Sequence, residues 1–261
     1  MLALLTTPVL AAAPPNSAPK PVLLYVLCHD SKNQINSPDD TEYKEVFKRL
    51  SGEFELRVTS EALTQKLLEG VRVLWMAPPE NKPVSAQAPP ITTSEIEVVV
   101  QFVERGGGLI FMTHPEPGMP VENEASNRLL NRFGLVANHV NIGAKKQQIP
   151  RTTPLIGGLR WAAYRMCTLD VEEGGPLRPP VLVMNDLQQK TVLGNKDFVG
   201  VIMIWGKYGQ GRIWAVADTG WLSNGALLGG GLGGINLTDQ DNWEIMFRLT
   251  HWVAALDTAK P

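Results

Sequence analysis

Hydrophobic positions along this chain alternate between short unbroken runs and spaced, helix-like sets. Residues 21–28 (PVLLYVLC) form a continuous apolar run followed by polar residues, the pattern of a strand buried on both faces. Tyr43, Val46, Phe47 and Leu50 then fall at helical spacing, and Gly52 closes that segment. Residues 54–58 predict a second strand, 60–68 a short helix capped by Ser60 and ended by Gly70, and 71–76 (VRVLWM) a third strand. The proline-rich stretch 78–90 predicts a loop. Beyond it a helix starts near Thr93, with Glu95 and Glu97 at its positive end and Ile96, Val99, Val100 and Val103 along one face. Gly106, Gly107 and Gly108 end it, and residues 109–112 are a fourth strand.

Short apolar strands alternating with amphipathic helices imply a parallel sheet covered on both sides. The second half is less regular. Residues 123–133 read as helix and 134–140 as a returning strand, while 143–180 gives no clear pattern. Strands follow at 181–185, 199–205 and 212–218, the last two joined through Gly206–Gly211 as a hairpin. A glycine-rich loop over 225–234 precedes a closing helix from Asp241 to about Leu256, with Trp243, Met246, Phe247, Thr250 and Val253 on one face. The expected fold is α/β: a flavodoxin-like three-layer sandwich, its sheet mainly parallel with an antiparallel hairpin added late.

Composition narrows the functional classes. At 261 residues and 44% hydrophobic residues the chain builds a substantial core. A formal net charge of -2 gives neither a basic footprint nor an acidic tail, so nucleic acid is not an expected partner. Lys145-Lys146 reads as part of a solvated loop. Residues 1–13 (MLALLTTPVLAAA), with the Pro- and Ala-rich segment after them, resemble the apolar and cleavage regions of a secretory leader. They are too short to span a bilayer. The expectation is a leader over 1–20, one domain over 21–261 and an exported product, with a cytoplasmic protein as the alternative. The two cysteines form no disulfide framework; Cys28 at the end of an apolar strand reads as a buried thiol, with a single bridge to Cys167 as the alternative in an oxidising compartment.

In open α/β sheets ligands gather outside the carboxyl ends of the strands. The candidates there are His29 and Asp30 after the first strand, His114 and Glu116 after the fourth, and Asp218 after the late one. Trp221 and Asn224 follow in the same loop. His114 with Asp218 suits polarising a hydroxyl or holding a water. Alternatively His114-Pro115 is turn chemistry and Asp218 caps Thr219-Gly220. The Trp221 ring suits stacking on a sugar, with core packing as the alternative. No metal-ligand spacing, G-x-S-x-G elbow, phosphate loop or dinucleotide fingerprint appears, so neither a metal nor a cofactor is expected. Residues 200–207 (GVIMIWGK) have the wrong spacing for a phosphate loop and an apolar, strand-like centre. His251 reads as packed on the last helix, His139 has no evident partner, and Asn236-Leu237-Thr238 is a glycosylation sequon.

Residues 69–79 (EGVRVLWMAPP), the helix from Thr93 and residues 102–111 (FVERGGGLIF) together resemble the class I glutamine amidotransferase-like superfamily. So do residues 127–134 (NRLLNRFG), 209–224 (GQGRIWAVADTGWLSN) and the terminal Asp241-Asn242 helix. The resemblance points to the non-catalytic branches, the gliding-motility and intraflagellar-transport type domains and the trehalose-utilisation-like proteins, and covers roughly residues 22–256. Catalytic members place a cysteine on the turn after the strand equivalent to 109–112. Here that turn reads Thr113-His114-Pro115, with no cysteine nearby. Acyl transfer by that route needs an activated thiolate. The expected function is therefore non-catalytic, with a small polar ligand or a protein as partner. The alternative is a hydrolase or isomerase using His114 and Asp218 as acid and base.

Overall fold

The computed structural model describes residues 19–28, 35–36, 38–39, 42–77, 90–113, 124–138, 140–184, 190–191, 194–197, 200–229, 231–232, 235–236 and 240–256. The first half runs β1 (Val22–Val26), α1 (Lys44–Leu50), β2 (Glu55–Thr59), β3 (Val71–Met76), α2 (Thr93–Glu104), β4 (Gly108–Met112) and α3 (Glu124–Leu130). A 3-10 turn over Asn131–Phe133 then leads to β5 (Leu135–Ala137), β6 (Gly143–Gln148), β7 (Arg160–Met166), β8 (Leu169–Val171) and β9 (Arg178–Met184). The remainder comprises β10 (Lys190–Thr191), β11 (Gly194–Asp197), β12 (Val201–Tyr208) and β13 (Gly211–Val216). After these come a 3-10 turn over Gly220–Leu222, α4 (Asn224–Leu227), β14 (Gly231–Leu232), β15 (Ile235–Asn236) and α5 (Asn242–Val253).

Nine strands form one sheet in the order β2-β1-β3-β4-β13-β12-β8-β5, with β9 also pairing β12. The first five are parallel, the flavodoxin-like arrangement with β13 in the fifth place. From β12 onward the pairing is antiparallel. The expected hairpin is β12–β13, and its strands are longer than the glycines suggest: pairing persists to Tyr208↔Gly211, leaving only Gly209 and Gln210 as the turn. Gly209 has φ +56°, which a tight hairpin turn requires. The β6–β7, β10–β11 and β14–β15 pairs are separate two-stranded ribbons.

Alternate residues of the parallel strands feed two cores, because side chains alternate across a strand. Leu23, Tyr25, Trp75, Ile110 and Trp214 pack with α1 and α5, and Leu24, Val26, Leu74, Phe111 and Ile213 with α2 and α3. This is the three-layer sandwich. α5 turns Ile245, Met246, Leu249 and Val253 inward and leaves Trp243 and Phe247 half-buried, so its inner face is rotated from the one expected.

The expected helix over 60–68 is absent. Residues 65–70 form turns instead, and the Leu63 N–H is taken by the Glu95 carboxylate at 3.0 Å. Glu95 also accepts the Thr92 N–H while Thr92 caps the Glu95 N–H, a capping box that starts α2. Lys145-Lys146 lies on β6, not in a loop, and residues 225–227 of the glycine-rich stretch belong to helix α4.

Candidate functional site

In this strand order the topological switch point lies between β1 and β3, since the chain leaves β1 in one direction for β2 and returns in the other for β3. Cys28, Ala77, Thr113 and Ala217 follow the carboxyl ends of β1, β3, β4 and β13. His29, Asp30, His114 and Glu116 lie outside the described residues, as does His139.

The base of this edge holds a thiol that the sequence places far away. The Cys167 Sγ lies 3.0 Å from the Thr113 Oγ1, and the Cys167 N–H donates to the Ala217 carbonyl at 3.0 Å. The chain leaving β7 thus crosses under the ends of β4 and β13. The expectation of no cysteine near the β4 turn holds for sequence neighbours and fails in space. Cys167 is nonetheless fully buried, and desolvation pushes its thiol up to about 12, the Thr113 hydrogen bond opposing only part of the effect. A thiol so placed stays protonated at neutral pH and is a poor nucleophile. Cys28 is likewise buried and free.

Asp218, Trp221 and Asn224 are brought together, but facing inward. Asp218 is 1% exposed; its carboxylate accepts the Tyr164 N–H at 2.7 Å and the Gly220 N–H at 2.8 Å. It therefore shapes the turn at Thr219-Gly220 and ties it to β7. Trp221 is fully enclosed, edge-on to Trp161 and Trp214 at 6.1 and 5.8 Å, so neither ring face is open to a sugar. Asn224 accepts the Glu45 N–H at 2.8 Å and donates to the Asp39 carbonyl at 2.8 Å, joining α4 to α1.

Sequence reasoning missed two further members of this network. The Asn242 amide donates to the Ala162 and Trp221 carbonyls at 2.9 and 2.7 Å and accepts the Ala162 N–H at 3.0 Å. The Tyr43 hydroxyl donates to the Thr219 carbonyl at 2.7 Å. The one available signal was polar residues at the start of α5 and just before α1, next to apolar runs.

A cavity of about 400 Å³ lies at the opposite edge of the sheet, lined by Leu68, Val71, Arg72, Phe102 and Arg105. Arg72 donates from Nε to the Ala254 carbonyl at 2.6 Å and from Nη1 to the Gly106 carbonyl at 3.4 Å. These bonds join the ends of α2 and α5 and account for Arg72 without a ligand. Among the described residues no group of His, Cys, Asp or Glu is arranged to hold a metal, and no helix is long and apolar enough to cross a membrane.

No family model and no curated protein sequence matches the chain. Solved structures do. The IFT52 N-terminal domain aligns with a TM-score of 0.63 at 17% identity, covering 89% of this chain and 97% of that one. A cytoplasmic protein from Salmonella typhimurium gives 0.54 at 11% identity, with 89% and 98% covered. A ThuA-like protein from Bacteroides uniformis gives 0.50 at 14% identity, with 93% and 95% covered. At these identities the likeness is one of fold, and fold alone assigns no chemistry. The chain shares its three-layer α/β architecture with the IFT52 N-terminal domain and with a ThuA-like protein.

Proposed function

We propose that this chain is a non-catalytic binding or assembly domain, spanning residues 21–261 behind a leader over 1–20, that acts in an exported compartment. On this reading it belongs to the non-catalytic branch of the class I glutamine amidotransferase-like superfamily. The likeness to the IFT52 N-terminal domain and to a ThuA-like protein supports that placement.

The observation that carries the reading is the state of the polar groups under the strand ends. Asp218, Asn224 and Asn242 each bond main-chain groups through their side chains, and the Cys167 thiol is held protonated against Thr113. A general base must reach substrate within hydrogen-bond distance. The Asp218 carboxylate is 1% exposed and bonds two main-chain amides, which weakens its pairing with His114 as acid and base. A small polar ligand would be met instead by His29, Asp30, His114 and Glu116, the residues that follow β1 and β4 in sequence.

A thermal-shift screen of the full-length chain against sugars, nucleotides, amino acids and divalent metals tests this. A ligand at 100 times its dissociation constant adds about 2.7 kcal/mol of stability. The reading expects either a shift that disappears in His114→Ala or, for an assembly domain, no shift with any class. Turnover of a screened compound that depends on Asp218 would contradict it.

A further inference from the structure

The edge strand β2 carries a self-complementary charge pattern. Only β1 pairs with it among the described residues, and it forms one end of the nine-stranded sheet. The Glu55 N–H donates to the Pro21 carbonyl at 3.0 Å and the Thr59 carbonyl accepts from the Leu27 N–H at 2.8 Å. Glu55, Arg57 and Thr59 therefore turn their main-chain groups toward β1, and by the alternation of a parallel ladder Leu56 and Val58 turn theirs outward. Glu55 and Arg57 share one face of the strand, joined by a salt bridge of 2.7 Å, with side chains 53% and 48% exposed. Leu56 leans on the core and Val58 is 39% exposed. An edge of this kind is a template for another strand.

We propose that β2 pairs antiparallel with β2 of a second copy of this chain about a two-fold axis at Leu56, joining the two sheets into one. In that register Leu56 faces Leu56 of the second copy as a hydrogen-bonded pair, each donating its N–H to the other's carbonyl. The Val58 N–H reaches the outward Phe54 carbonyl across the axis. The flanking positions are non-hydrogen-bonded pairs, where side chains stand closest. There Glu55 meets Arg57 of the second copy, and Arg57 meets Glu55, so the two-fold axis generates two ion pairs across the junction. A slip of two residues keeps the hydrogen-bonding parity but sets Arg57 against Arg57 in one direction, or Glu55 against Glu55 in the other, where Arg57 meets only Glu53 in the turn before β2. The same charges that discourage other strands from docking admit a second copy in one register, and a two-fold interface is self-complementary in this way by necessity. This inference is independent of the proposed ligand site, which lies at the strand ends and not along the sheet edge.

Sedimentation velocity of the full-length chain across a concentration series tests it. The account expects a species of twice the 28.6 kDa chain mass to grow with concentration. Glu55→Arg alone and Arg57→Glu alone, both on exposed positions, each weaken self-association by about tenfold or more, because like charges then face each other at two sites. An equimolar mixture of the two variants restores the dimer, since one chain then brings two positive charges to the axis and the other two negative ones. Exchanging both residues within one chain restores it as well. Circular dichroism of each variant confirms that the fold is intact, and either single variant suffices if the other fails to fold. A chain that stays monomeric at every concentration overturns the proposal, and so does a dimer indifferent to both reversals.

Discussion

The Thr113 hydroxyl and the Cys167 thiol, 54 residues apart in sequence, lie 3.0 Å from each other beneath the end of β4. Desolvation raises the thiol to about 12, above its ordinary value of 9.0. The folded chain therefore keeps a proton that the unfolded chain releases. The stabilising effect is whole below pH 9 and is lost as pH rises from there toward 12. Denaturant melts over that range are expected to show an alkaline loss of a few kcal/mol that is absent in Cys167→Ser. In native protein at about pH 8, neither cysteine reacts with a thiol reagent until the chain is unfolded.

Asn242 closes three hydrogen bonds to Ala162 and Trp221 in a fully packed region. Asn242→Ala leaves those main-chain groups buried without partners and costs about 2–4 kcal/mol. Urea unfolding at neutral pH measures it.

Gly211 begins β13 where it meets the end of α2. A Cβ there would stand 2.2 Å from the Val103 carbonyl oxygen and 2.3 Å from that of Gly107, both main-chain atoms that do not yield easily. Gly211→Ala is expected to cost about 2–3 kcal/mol. At Gly52 the nearest atom is the Arg49 carbonyl at 3.4 Å, and Gly52→Ala stays within about 0.5 kcal/mol of the parent. Parallel thermal melts separate the two.

His251 packs 4.2 Å from the Phe247 ring and edge-on to Phe54 at 5.7 Å, with Glu53 3.9 Å from its Nε2. Desolvation lowers its pKa, and the Glu53 charge opposes part of that. A depressed base stabilises the fold above its ordinary value near 6.5 and gives that up as pH falls through the lower, folded value. Melting temperature is expected to decline more from about pH 7 to about pH 5 in the parent than in His251→Gln.

The first half of the fold was legible because β1, β3 and β4 are apolar or nearly apolar runs and α1 and α2 each keep one apolar face; β1, β3, α2 and β4 lie close to their expected bounds. The helix over 60–68 failed: residues 65–70 form turns, and the Leu63 N–H is bound by Glu95, 32 residues away, a contact that local capping rules do not register. Strands β6 and β7, and the opening of β9 before Val181, were unreadable for a different reason. β6 reads GAKKQQ, β7 carries two alanines, and β9 opens Arg178-Pro179-Pro180, so none shows a period-two apolar pattern. Polar residues after β13 look like ligand groups in sequence, yet Asp218 reaches back 54 residues to Tyr164 and Asn224 reaches 179 residues to Glu45. Sequence places such a residue at the strand end; only its distant partner tells whether it faces a ligand or holds a loop.

Denaturant unfolding of Asp218→Asn beside the parent tests most directly whether the strand-end carboxylate holds the fold or serves chemistry. The substitution keeps the shape but removes the charge and sets an amide N–H against one of the two main-chain donors, from Tyr164 or Gly220. The account predicts a loss of about 2 kcal/mol or more. Unchanged stability would contradict it, because the carboxylate would then be free of the turn and available to a ligand or a proton.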